Sequence, residues 1–273
     1  MAFTLLRRAP ARLGPIELGL AASLVVLAGA AWVLTGDRMA GMDAGPGTDL
    51  GGLGWFVGIW VTMMAAMMLP SVSPMVLAFA RVSRERASRG RVAFVPTWVF
   101  LAGYLAAWTA YGLLAYGVFR VVEAVAGDAL AWDRAGPYVA GGAIVAAGLY
   151  QVTPVKNVCL RHCRTPLHFL LHGWHDGKLG ALRMGVVHGL YCVGCCWGLM
   201  IVLFSLGVMS LFWTAVIAGV IFTEKVFPCG ERLTRLVAVA FVALGLWIAA
   251  SPGSVPGLTD PAGPGNPSMR MTP

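Results

Sequence analysis

Charge is what this sequence has least of. Only 12% of its 273 residues are Asp, Glu, Lys or Arg, about half the ~25% usual in a soluble chain. Set against 58% hydrophobic residues and a mean hydropathy of +0.76, that supply cannot cover a water-facing surface, so lipid must cover part of it. An ordinary soluble domain is excluded, and so is a disordered chain. Six cysteines spread over this length are too few for a disulfide-rich secreted module. The short alternating segments of a membrane β-barrel are missing. So are a Walker loop, a Gly-rich dinucleotide turn and a nucleophile elbow. The chain therefore reads as a binding protein rather than an enzyme.

What is present is a series of apolar stretches near the ~20 residues that a helix needs to cross a bilayer. They fall at 16–35, 53–80, 92–119, 135–152, 184–206, 209–227 and 233–251, the sixth ending among Glu224 and Lys225. The expected fold is all-α, a polytopic transmembrane helix bundle of six to seven spans. Residues 1–52 form an N-terminal anchor and outer loop, 53–251 the transmembrane domain with the candidate ligands, and 252–273 a disordered Pro/Gly-rich tail. Sixteen of the twenty Lys and Arg fall at the N-terminus or in the loops after the second, fourth and sixth spans. The positive-inside rule then places the N-terminus in the cytoplasm of an inner membrane. The net charge of +8 follows from charges flanking spans, not from a basic soluble module, so the partners expected are membrane lipid and not nucleic acid.

Three groups of residues stand out against this background. In the second span, Met63, Met64, Met67 and Met68 form two i,i+4 pairs that cover one broad side of a helix. Pro70 and Pro74 follow, freeing carbonyls and predicting a kink. In the fifth span, His188, Cys192, Cys195 and Cys196 fall on one helical stripe. In the loop between the fourth and fifth spans, Cys159 and Cys163 share a helical face beside His162, with His168, His172 and His175 beyond. Each group has a plain alternative: methionine as core filler, cysteine as a small hydrophobe, and an amphipathic interfacial helix for the loop. At 1.5 Å per residue, Met64–Met68 lie about 16–22 Å from the outer face and His188–Cys196 about 6–18 Å from the cytoplasmic face. Glu224 reaches a similar level and needs a cation or a metal as partner.

Thiolates and thioethers are soft ligands that select Cu(I), with zinc as the alternative, and the thioethers favour copper. The spacing is not that of a zinc finger or ribbon.

The runs WVTMMAAMMLPSVSP (60–74), YQVTPVKNVCLRHCRTP (150–166) and GVVHGLYCVGCCWGLM (185–200), followed by Glu224-Lys225, resemble the bacterial DUF2182 family over about residues 55–228. That family is described as predicted metal-binding integral membrane proteins, sometimes labelled copper chaperones. The resemblance implies a soft-metal role, and the family's signature positions here are Met63, Met64, Met67, Met68, Pro70, Cys159, Cys163, His188, Cys192, Cys195, Cys196 and Glu224, all but Pro70 being candidate ligands. The leading expectation is a membrane protein that receives, stores or hands over Cu(I), with a copper-handling protein as partner. The alternatives are a thiol–disulfide oxidoreductase using Cys192 and Cys195 and a scaffold whose Cys and Met only pack.

Overall fold

The computed structural model describes residues 14–40, 50–90, 94–127, 129–132, 134–207, 210–227 and 230–254. Nine helices are described: α1 (Pro15–Met39), α2 (Leu53–Ser88), α3 (Thr97–Ala126), α4 (Gly136–Gln151), α5 (Pro154–Arg164), α6 (Pro166–His172), α7 (Gly177–Leu206), α8 (Leu211–Val226) and α9 (Gly230–Ala250). No strand is found among the described residues, as an all-α bundle requires. Arg7, Arg8, Arg12, Arg91 and most of the proposed tail lie outside the described residues.

Five helices, α1, α2, α3, α7 and α9, are long and apolar enough to cross a membrane, and α4 with α5 makes a sixth if the bent pair is one span. The chain is thus membrane-embedded. Each of the seven expected stretches contains a helix, but the helices of the fourth and sixth are short for a crossing. The sixth, α8, has 16 residues, about 24 Å at 1.5 Å per residue, against a hydrocarbon core of about 30 Å. The fourth stops at Gln151 and the chain turns by 64° into α5. Thr153 and Pro154 make that turn. Pro154 cannot extend α4 through a backbone donor but suits the first position of a new helix, and Thr153 caps α5 by accepting from the Lys156 N–H.

Helices α2 and α7 form the centre. Two-thirds of the most apolar window of α2 is buried, against about a fifth of that of α1, which lies at the edge. Val25, Val26 and Val33 on α1 and Leu236 and Val239 on α9 stay exposed, the lipid-facing surface of a bundle whose solvent is hydrocarbon. Around the centre, α7 packs on α3, α4, α5 and α8, and α2 packs on α1, α3, α6 and α8.

Glycine sets the closest crossings. A Cβ on Gly185 would collide with the Phe100 carbonyl, and one on Gly103 with the Leu182 carbonyl, so α3 and α7 cross with backbones touching. Gly141 and Gly245 face each other's carbonyls in the same way between α4 and α9. Small residues at such crossings are how helices associate in lipid, where hydrophobicity gives no net drive.

Helix α2 runs unbroken from Leu53 to Ser88 through both prolines. Pro74 has no N–H to give the Pro70 carbonyl, and the Ser73 hydroxyl donates to it instead at 2.8 Å. That local repair lets the methionine face continue past the prolines as one helix.

Gly185→Val is expected to push α3 from α7 at a cost of about 1–3 kcal/mol, the usual price of overpacking, read as a lower melting temperature in detergent. Gly142→Ala, where a Cβ meets nothing within 4 Å, should leave the melt within about 0.5 kcal/mol of the parent. Equal melts for the two variants would contradict the crossing.

Candidate metal centre

The stripe expected on the fifth span exists on α7. His188, Cys192, Cys195 and Cys196 are each no more than 2% exposed, and the glycines on the same helix let α3 come close. The bend between α4 and α5 adds a residue from elsewhere in the chain, for α5 lays its last turn on α7 and brings Cys163 to the stripe. The Sγ atoms of Cys163 and Cys195 are 3.8 Å apart and those of Cys195 and Cys196 3.4 Å apart. The three sulfurs of Cys163, Cys192 and Cys195 all lie within 4.8 Å of one another. The five described cysteines are free thiols.

Charge enters this group from α8. Lys225 Nζ donates to Cys192 Sγ at 2.8 Å, and both residues are buried. Tyr104 of α3 adds its hydroxyl to the same sulfur at 3.0 Å. An ammonium has three donors and no acceptor, so the sulfur is the acceptor, which is the arrangement that supplies a countercharge to a thiolate. Among the described residues no carboxylate bridges Lys225.

Glu224, the residue before Lys225, points the other way. Its Oε2 accepts from Lys156 Nζ of α5 at 2.7 Å, both side chains almost wholly buried. Gln151 Oε1, at the end of α4, accepts from the same ammonium. The partner that an intramembrane carboxylate needs is therefore a lysine, and Glu224 lies outside the sulfur group. Its Oε1 and Gln151 Nε2 have no hydrogen-bond partner.

The remaining expected residues fall around this centre. Cys159 lies one turn before Cys163 on α5, its sulfur so close over Gly194 that a Cβ there would stand 2.7 Å from it. His188 sits one turn from Cys192 in an aromatic surround of Phe100, Tyr104 and Phe169, with ring centroids 5.3–6.0 Å away. Its Nδ1 is buried without a hydrogen-bond partner. Met63, Met64, Met67 and Met68 are each no more than 1% exposed. They belong to α2, which touches the thiol helix through the stacked rings of Trp60 and Phe204, 5.7 Å apart, and shares α3 and α8 with it as neighbours. The methionine and cysteine faces thus belong to one core but to different helices.

Three functional neighbours were not legible in the sequence. Tyr104 is one aromatic in an apolar run, and Lys156 one of several basic loop residues. Lys225 looked like a span-end charge. Only the fold turns them to Cys192 and Glu224.

The donor set fits a soft ion. Metal–sulfur bonds of about 2.3 Å around a three-coordinate ion separate the sulfurs by about 4 Å, and Cys163, Cys192 and Cys195 are within reach of that spacing. A separate cavity of about 880 Å³ opens between α3, α4 and α7 beside Trp132, Val139 and Phe204. Its lining is mainly apolar and contains none of the thiols.

Removing one member of the Lys156–Glu224 pair should cost about 3–5 kcal/mol, because the other is left as an unpaired buried charge. Lys156→Met and Glu224→Gln are each expected to lower the melting temperature strongly, and Lys156→Met/Glu224→Met to recover much of the loss. Additive losses in the double variant would show that the two do not act as a pair.

A protein-family model described as copper chaperone (PpoB2) matches residues 57–248. That stretch holds all the helices that build the centre. Comparison with curated proteins and with solved structures finds no match.

Proposed function

The chain belongs to the copper-chaperone family, and we propose that it binds Cu(I) as cargo in a bacterial inner membrane and passes it on through sulfur ligands. The observation that carries this reading is the meeting of Cys163 from α5 with Cys192 and Cys195 from α7, three sulfurs within 4.8 Å. Cys163 and Cys192 are 29 positions apart in the chain, and packing alone gives no reason for their thiols to converge beside a lysine.

In this proposal Cys163, Cys192 and Cys195 form the principal site, with Cys196 next to it at 3.4 Å from Cys195. Lys225 is the countercharge. Cys159 and His188 flank the group and can take up the ion as it moves, since release needs several weak sites rather than one deep one. Met63, Met64, Met67 and Met68 form a thioether face in the same core that accepts copper more weakly than thiolate and rejects harder ions. Glu224 holds α8 through Lys156 and so aims Lys225 at Cys192. The resemblance to DUF2182 supports the same assignment. The charge asymmetry of the loops favours a cytoplasmic N-terminus, and a soluble copper-handling protein is the partner this arrangement calls for. Zinc is the competing cargo for a site of three thiols.

Elemental analysis of reduced, detergent-purified protein, with copper and zinc both supplied, separates the readings. About one copper per chain is expected, as one trigonal soft site can hold, and Cys163→Ser/Cys192→Ser/Cys195→Ser should lose most of it. Zinc in its place would change the cargo. No metal in either protein, with a disulfide forming between Cys192 and Cys195, would replace copper carriage with thiol redox chemistry. The pair Met67→Leu/Met68→Leu, close in volume and so small in its cost to stability, should keep bound copper but slow its uptake in a stopped-flow transfer assay. Unchanged uptake would remove the methionine face from the path.

A further inference from the structure

Helix α6 contributes no sulfur to the centre just described, yet its construction is specific. Pro166 opens it, and Gly173 closes it with its N–H on the Phe169 carbonyl. Phe169 and Leu170 are its buried residues, and the Phe169 ring packs edge-on against His188 at 5.3 Å and Tyr191 at 6.4 Å. With that side pinned to α7, His168 and His172 are turned outward and exposed.

The two imidazoles are four residues apart on one helix, and their rings stack with centroids 4.3 Å apart. The Nδ1 of His172 contacts the carbonyl of His168 at 3.0 Å. A carbonyl only accepts, so Nδ1 carries the proton and Nε2 carries the lone pair. This is the tautomer of a metal-ligating histidine, whose other ring N–H donates to a backbone carbonyl. The neighbouring histidines are committed elsewhere. His175 Nε2 takes a bond from Arg183 at 3.1 Å, and the His162 ring lies flat on Tyr191 at 4.1 Å.

We propose that His168 and His172 form a second, surface metal site that takes one borderline divalent cation of the first transition row through their two Nε2 atoms. Imidazole suits Ni(II), Cu(II) and Zn(II), whereas the thiols inside select softer ions. The site is independent of the thiol reading, since α6 holds its histidines outward whatever the sulfurs bind. Its place five residues after Cys163 in the chain, with Phe169 against His188, makes it a surface capture point beside the buried centre.

The probe is immobilised Ni(II), which reaches exposed imidazoles and cannot enter the helix bundle. Untagged full-length protein in detergent is eluted with rising imidazole. The parent should elute at a several-fold higher imidazole concentration than His168→Gln or His172→Gln. The double variant should elute with the singles, because a chelate is lost with its first arm. His175→Gln and His162→Gln should elute as the parent does. Both α6 side chains are exposed, so the His168 and His172 variants should melt as the parent does. The proposal is overturned if the parent is not retained, if the single variants elute with it, or if the double variant falls by two equal independent steps.

Discussion

Two consecutive residues on α8 face opposite ways, and the centre of the molecule depends on it. Glu224 reaches Lys156 on α5 and Lys225 reaches Cys192 on α7. In lipid an unpaired charge is expensive, so each contact holds one helix at a set height against another. Together they tie α5, α7 and α8 at one level. That level is also where α5 delivers Cys163 to Cys195. The bend at Thr153–Pro154 and the ion pair thus act together, since the bend turns α5 toward α7 and the pair stops it from swinging away.

The backbone crossings at Gly103 and Gly185 do the same for α3. Bringing α3 against α7 without side chains between them sets the Tyr104 hydroxyl 3.0 Å from Cys192 Sγ. A larger residue at either glycine would move the tyrosine off the sulfur before it broke any helix. The glycines, which carry no chemistry, therefore decide the shape of a site built of sulfur and one ammonium.

Much of this was legible from sequence because the bilayer simplifies the problem. Backbone groups must be satisfied within the helix, so long apolar stretches such as 53–80 and 184–206 could be little else, and the stripe from His188 to Cys196 followed from helical period alone. The end of the fourth stretch was legible to within a residue, at 152 against Gln151, but the 64° turn that follows it was not. The Thr-Pro step that makes the turn looks like any loop in a linear chain. Contacts across the fold were less legible still. Glu224 announced that it needed a partner, but the candidates were every cation and every metal site, and Lys156 is 68 positions away. Helical period shows which residues share a face and is silent on which faces meet. For the same reason the methionine face of α2 and the thiol face of α7 could be drawn at one depth, while their separation onto helices that share α3 and α8 could not.

The buried charges limit what the centre can hold. Lys156 and Glu224 cancel, which leaves the single positive charge of Lys225 in a region that no described carboxylate enters. Neutrality then requires a complex of net charge −1 beside it, because an uncompensated charge in that setting costs several kcal/mol. A monovalent ion meets that condition with two thiolates and leaves the third cysteine protonated, whereas a divalent ion needs all three. Cu(I) bound on these terms would leave one thiol of the three uncommitted, while Zn(II) would engage all three. A spare thiol inside the set serves ligand-by-ligand transfer first, whereas a closed three-thiolate set must turn to Cys196, 3.4 Å from Cys195. The same lysine that admits either metal makes the monovalent one easier to pass on.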